Sequence, residues 1–114
     1  FLLPRVVGLG RATEMLLLGD AVSAADAERF GLVSRVLPPE QLMDEARAVA
    51  RRLAEGPALG VAMTKEMINR ELAMPLDDAI EAEAHVQALL MRSRDFREAY
   101  EAFVGKRPPK FEGR

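Results

Sequence analysis

Few side chains in this sequence combine a reactive type with a useful spacing. There is no Cys and a single His, His85. Without cysteine there is no thiolate nucleophile, no thiolate metal site and no disulfide framework, a composition that fits a reducing compartment and a cytoplasmic location. His85 falls on the side of its predicted helix opposite Leu76 and Ile80, and so reads as a solvated histidine rather than a general base. No metal site is expected. Only carboxylates could ligate one, and the densest group, Asp77, Asp78 and Glu81, stands where a helix N-terminus ordinarily collects acids. Glu14 is more interesting, because Met15 to Leu18 follow it and burial would favour its protonated form. Arg11, three residues earlier, gives it a structural partner instead. Gly8-Leu9-Gly10 leads into Arg11-Ala12-Thr13 without the third glycine of a dinucleotide-binding turn, and there is no nucleophile elbow.

The end of the chain holds the best ligand-binding candidates. Phe103 precedes Lys106 by three residues, so an aromatic face and an ammonium emerge on one side of a helix end. Such a pair suits a nucleotide, with stacking for the base and charge for a phosphate. Packing and helix-dipole complementarity are the competing explanation for the same two residues. Glu83 and Gln87 interrupt an otherwise apolar helical face, as residues at the wet edge of a subunit contact would.

The elements that must position these groups are helices. Arg11 to Leu18 reads as a short, buried helix closed by a left-handed cap at Gly19, with Gly8 and Gly10 interrupting the chain before it. Ser23 followed by Asp26 marks the entry of a brief helix that stops at Gly31. Leu32 to Leu37 alone has strand character, and Pro38-Pro39 ends it. Leu42, Ala46, Val49 and Leu53 then stack on one helical face, and Gly56-Pro57 separates them from a second stripe of Leu59, Ala62, Met63 and Met67. A third helix should run from about Leu76 to Met91 with Leu76, Ala79, Ile80, Val86 and Leu90 on its main face. A last one should start near Ser93 and present Phe96, Ala99, Tyr100 and Phe103.

The whole chain has 114 residues, a formal charge of −2 and 49% hydrophobic residues. That is one domain or less, with no apolar run near the ~18 residues needed to span a bilayer. The acidic balance disfavours nucleic acid, which needs clustered cations. Ala24 to Leu32 superficially matches a helix-turn-helix, yet Pro38-Pro39 would break its recognition helix and only Arg35 could read bases. Beginning at Phe1 without a basic or long apolar leader, the sequence reads as a piece of a longer chain. A stand-alone helical interaction module, binding through the Leu42/Val49 and Leu76/Ile80 stripes, is the reading without catalysis.

Several segments taken in order resemble the crotonase, or enoyl-CoA hydratase/isomerase, superfamily. They are Leu3-Pro4-Arg5-Val6-Val7-Gly8, Met15 to Asp20, Ser23-Ala24 through Ala27 to Gly31-Leu32-Val33, Thr64-Lys65, and Asp95-Phe96 through Ala102-Phe103 to Lys106-Arg107, Pro109 and Phe111. The resemblance implies a mainly α fold with at most one short extended segment, equivalent to the C-terminal helical, trimerisation part of such a protein. Residues 1–104 would be that helical part and 105–114 a basic, Pro-containing tail, with the N-terminal spiral domain absent. It implies an acyl-CoA thioester as substrate, hydration or double-bond migration through an enolate, no separate cofactor, and a homo-oligomer, a trimer or dimer of trimers. The oxyanion-hole N–H groups and the proton-shuttling acids of the family lie ahead of Phe1, so no catalytic residue is carried over. Phe103 and Lys106 match positions near the adenine and phosphate end of CoA. Apolar Phe1-Leu2-Leu3 is closer to isomerase-like members. Gly105 replaces a helix former at a cost of ~1 kcal/mol, which predicts a fraying last turn.

Overall fold

A computed structural model describes residues 1–113. It is 69% helical, and among the described residues there is no strand. The chain divides into two compact units, Phe1–Met43 and the part from Asp44 onward, with the boundary inside a helix.

The first unit contains α1 (Leu2–Val7), α2 (Leu9–Leu18) and α3 (Ala24–Arg29), and it ends in the first residues of α4 (Pro39–Ala54). Gly8 alone breaks α1 from α2. Its backbone lies at φ 85°, ψ 153°, a conformation that residues with a Cβ avoid. Gly10 does not interrupt the chain as the sequence reading expected. It occupies the first turn of α2, where the N–H has no intrahelical partner to lose. Gly19 closes α2 in the left-handed region at φ 71° and donates its N–H to the Met15 carbonyl, as expected.

Ser23 caps α3. Its hydroxyl oxygen accepts the Asp26 N–H at 3.1 Å while its O–H donates to the Asp26 carboxylate at 2.8 Å. That hydroxyl and, above all, the hydrogen bond from Arg29 hold the Asp26 carboxyl below its ordinary range. Arg11 of α2 and Arg29 both lie over the Phe30 ring, 4.0 and 4.9 Å from its centroid.

Two expectations fail in this unit. The leucines of α2 are not buried: Leu17 is 79% exposed, and Leu16 and Leu18 are similar, because within the unit α2 packs chiefly on α1. Leu32 to Leu37 forms no strand. The Leu32 and Val33 N–H groups donate to the Ala27 carbonyl, and the Val36 N–H donates to Glu28 Oε1 at 2.9 Å. With these donors turned back onto α3 and no second strand to pair with, the segment stays irregular.

The second unit holds the rest of α4, α5 (Ala58–Glu71), α6 (Leu76–Leu90) and α7 (Arg94–Val104), followed by an irregular tail. The boundaries lie within a residue or so of those expected. α5 packs on α6. It turns inward Leu59 and Met63, half-buried, and Met67, buried. The inner face of α6 is Ala79, Ala82, Val86 and Leu90, all half-buried, while Leu76 and Ile80 face solvent. The fully inward apolar residues among those described are small or flexible: Ala12, Ala27, Met67 and Ala102.

Candidate functional site

The polar chemistry of the second unit gathers on α7 and the tail behind it. Ser93 starts α7, its hydroxyl accepting the Phe96 N–H at 3.1 Å. The predicted apolar stripe of this helix is largely solvent-facing, with Phe96 and Tyr100 exposed and Phe103 83% exposed. The inward face instead carries Asp95, which is 3% exposed, half-buried Glu98, and buried Ala102. Residues 95, 98 and 102 share one helical face, and the tail lies on it.

That packing is made by two carboxylates receiving backbone donors. Asp95 Oδ1 accepts the Glu112 N–H at 2.7 Å, and Oδ2 accepts the Gly113 N–H at 2.9 Å. Glu98 takes the guanidinium of Arg107 through both oxygens, the Nη2 to Oε2 contact being 2.8 Å, and its Oε1 also accepts the Lys110 N–H at 2.7 Å. Paired forks of this kind are among the stronger hydrogen bonds available to side chains. The Arg107 hydrogen bonds, helped by the Lys110 amide, pull the Glu98 pKa down to about 2, and Glu98 in turn raises that of Arg107.

The turn between α7 and the tail carries the sequence-predicted pair. Lys106 has φ 49°, the one described non-glycine residue in the left-handed region. Its N–H donates to the Phe103 carbonyl at 3.2 Å, and the Arg107 N–H donates to the Ala102 carbonyl at 3.0 Å. These are the two bonds of a Schellman cap. Gly105 thus lies inside a formed cap. It is right-handed, with φ −78° and ψ 0°, and a Cβ there would come 3.1 Å from the Glu101 carbonyl oxygen. The left-handed position falls on Lys106, at about 1–2 kcal/mol for a residue with a Cβ. The structure thus joins Phe103 and Lys106 through the backbone at the exposed end of α7. Among the described residues Lys106 makes no ion pair, whereas its neighbour Arg107 is taken by Glu98.

The other candidates lie on other helices. Glu14 is exposed and paired with Arg11 at 3.3 Å, as its spacing predicted, rather than buried among leucines. His85 is exposed on α6. Asp77 and Asp78 lie in the first turn of that helix, and among the described residues no three potential metal ligands converge. Glu83 and Gln87 line an open groove of about 560 Å³ between α5 and α6, with Thr64 and Ile80. The Glu71 carboxylate also reaches this groove, and its Oε1 is buried without a hydrogen-bond partner among the described residues. Sequence reading missed the grip of Asp95 and Glu98 on the tail. Its available signal was an acidic pair three residues apart, followed by a basic segment stiffened by two prolines.

The sequence model of the Enoyl-CoA hydratase/isomerase family matches residues 1–114. The chain belongs to that family. It is 40% identical over 114 residues to 1,2-epoxyphenylacetyl-CoA isomerase of Escherichia coli (strain K12), covering all of this chain and 44% of that protein. A Streptomyces coelicolor A3(2) structure provisionally assigned as an enoyl-CoA hydratase superposes with a TM-score of 0.95 at 54% identity, over 99% of this chain and 41% of that one. An enoyl-CoA hydratase structure from Geobacillus kaustophilus HTA426 gives 0.93 at 37% identity, over 98% and 42%. The chain thus spans less than half the length of these enoyl-CoA hydratase/isomerase relatives, and its structure is a helical segment of the crotonase fold. No described helix is long and apolar enough to cross a membrane.

Proposed function

We propose that this chain is the C-terminal helical segment of a cytoplasmic enzyme that hydrates or isomerises the double bond of an acyl-CoA thioester through an enolate. In this reading the helices form one wall of the acyl pocket and supply the contacts of a trimer or dimer of trimers. Phe103 and Lys106 hold the adenine and phosphate end of CoA. The thioester is substrate, and no separate cofactor is needed. The groups that polarise its carbonyl and move protons belong to the part of the enzyme ahead of this segment.

The observation that carries the reading is the distribution of apolar surface. Leu16 to Leu18, Leu42, Leu53, Leu76 and Ile80 are all exposed, while the inward positions are mostly alanine. Surfaces of that kind are built to be covered by other protein. An interaction module would expose such stripes too, but the family match along the whole chain favours the enzyme.

The test compares the purified segment with the complete enzyme on crotonyl-CoA and a 3-enoyl-CoA. The complete enzyme should turn one or both over and the segment neither. Sustained turnover by the segment alone would refute this division of labour.

A further inference from the structure

We propose that Glu98 and Asp95 are positioning residues: by gripping residues 107–113 they hold Lys106 in its left-handed backbone state and so fix where Phe103 and Lys106 meet the nucleotide end of a CoA ester. The proposal rests on the reading of Phe103 and Lys106 given above, and it assigns the control of that subsite to two acids whose oxygens are engaged by the tail.

A lysine at φ 49° is held there by its surroundings rather than by its own preference. Two cap hydrogen bonds define the turn, but helix ends held only by such bonds fray. What continues the restraint is the grip beyond the turn. Glu98 holds the side chain of Arg107, the residue directly after Lys106, and then the Lys110 N–H at 2.7 Å. Pro108 and Pro109, each with a ring-fixed φ, fill the interval and make it a strap of set length. Asp95, one turn earlier on the same face, takes the next two donors, from Glu112 and Gly113.

Charge is distributed to the same end. Glu98 is satisfied by Arg107 and the Lys110 amide, so it does not draw the Lys106 ammonium onto the helix. Releasing the strap would free the turn to leave the left-handed state and change the direction in which the Lys106 side chain leaves the helix end.

The experiment uses the complete enzyme and two thioesters of one acyl group, crotonyl-CoA and crotonyl-pantetheine, the second lacking the nucleotide. E98A, R107A and D95N should each raise KM for the CoA ester about tenfold, as when the competent arrangement falls to about a tenth of the population. KM for the pantetheine ester and both kcat values should change less than twofold. R107K keeps the charge but loses the fork, and should fall between R107A and the parent.

Equal effects on both thioesters, or no effect on either, would overturn the proposal. K106A separates the two levels of inference. If K106A is selective for the CoA ester and the clamp variants are not, the subsite stands and the positioning role fails; if K106A is not selective, both fall. Should E98A not fold, R107A and D95N decide by the same readings.

Discussion

Replacing Asp95 by Ala removes a side chain that accepts two consecutive tail amides. Asp95 is 3% exposed, and its oxygens accept the Glu112 and Gly113 N–H groups at 2.7 and 2.9 Å. Hydrogen bonds to an ionised group are worth about 1.5–3 kcal/mol net, and the lower figure applies because water can reach the released amides. Two such bonds give about 3 kcal/mol, which at 1.4 kcal/mol per decade is about a hundredfold in the closed-to-open ratio of the tail. The Arg94–Glu112 pair survives the change, but at 3.8 Å and with both side chains more than half exposed it does not compensate. Amide hydrogen exchange reads this ratio directly. The Glu112 and Gly113 amides should lose about two decades of protection in D95A, and roughly one in D95N, which keeps one acceptor oxygen. Amides inside α5 should be unaffected. Protection at Glu112 and Gly113 within threefold of the parent would show that Asp95 does not hold the tail.

Three further outcomes are expected. Because Glu98 is depressed to about 2 from 4.5, its grip is fully present above the ordinary carboxylate range and fades only as pH falls through about 2; a side-chain carboxyl titration by NMR should show this, and a midpoint near 4.5 would contradict the fork with Arg107. Ser93→Ala removes the hydroxyl that accepts the Phe96 N–H and should cost about 1 kcal/mol in urea unfolding, whereas Ser93→Asp should be nearly neutral. Lys106→Gly relieves the left-handed turn and should raise stability by about 1 kcal/mol while weakening CoA-ester binding in the complete enzyme, so that melting and affinity move in opposite directions.

What could be read in advance was local. Ser23 with Asp26, the cap at Gly19 and the break at Gly56-Pro57 act over one turn, and each lies where the residue types place it. What could not be read depended on partners distant in sequence. The Glu98–Arg107 fork and the Asp95–Gly113 bond close over nine and eighteen residues, through carboxylates and backbone amides that leave no hydrophobic period. Periodicity therefore picked out Phe96, Ala99, Tyr100 and Phe103 as the apolar stripe of α7, and the structure turns Asp95, Glu98 and Ala102 inward. The same limit explains Leu16 to Leu18. A run of leucines announces that something will cover it, without saying whether the cover lies in the same chain. The left-handed turn at Lys106 was not legible, because Gly105 beside it was the more obvious residue to bend.

The chain contains one tyrosine and no tryptophan, and that tyrosine, Tyr100, is 65% exposed on α7. Excited at wavelengths that phenylalanine does not absorb, this segment therefore emits from a single ring, on the helix that carries both the strap and the proposed nucleotide contact. A quencher titration of the isolated segment would report on that helix alone, with no label introduced. Inside a larger assembly, the same fluorophore would register when its solvent-facing side is occluded.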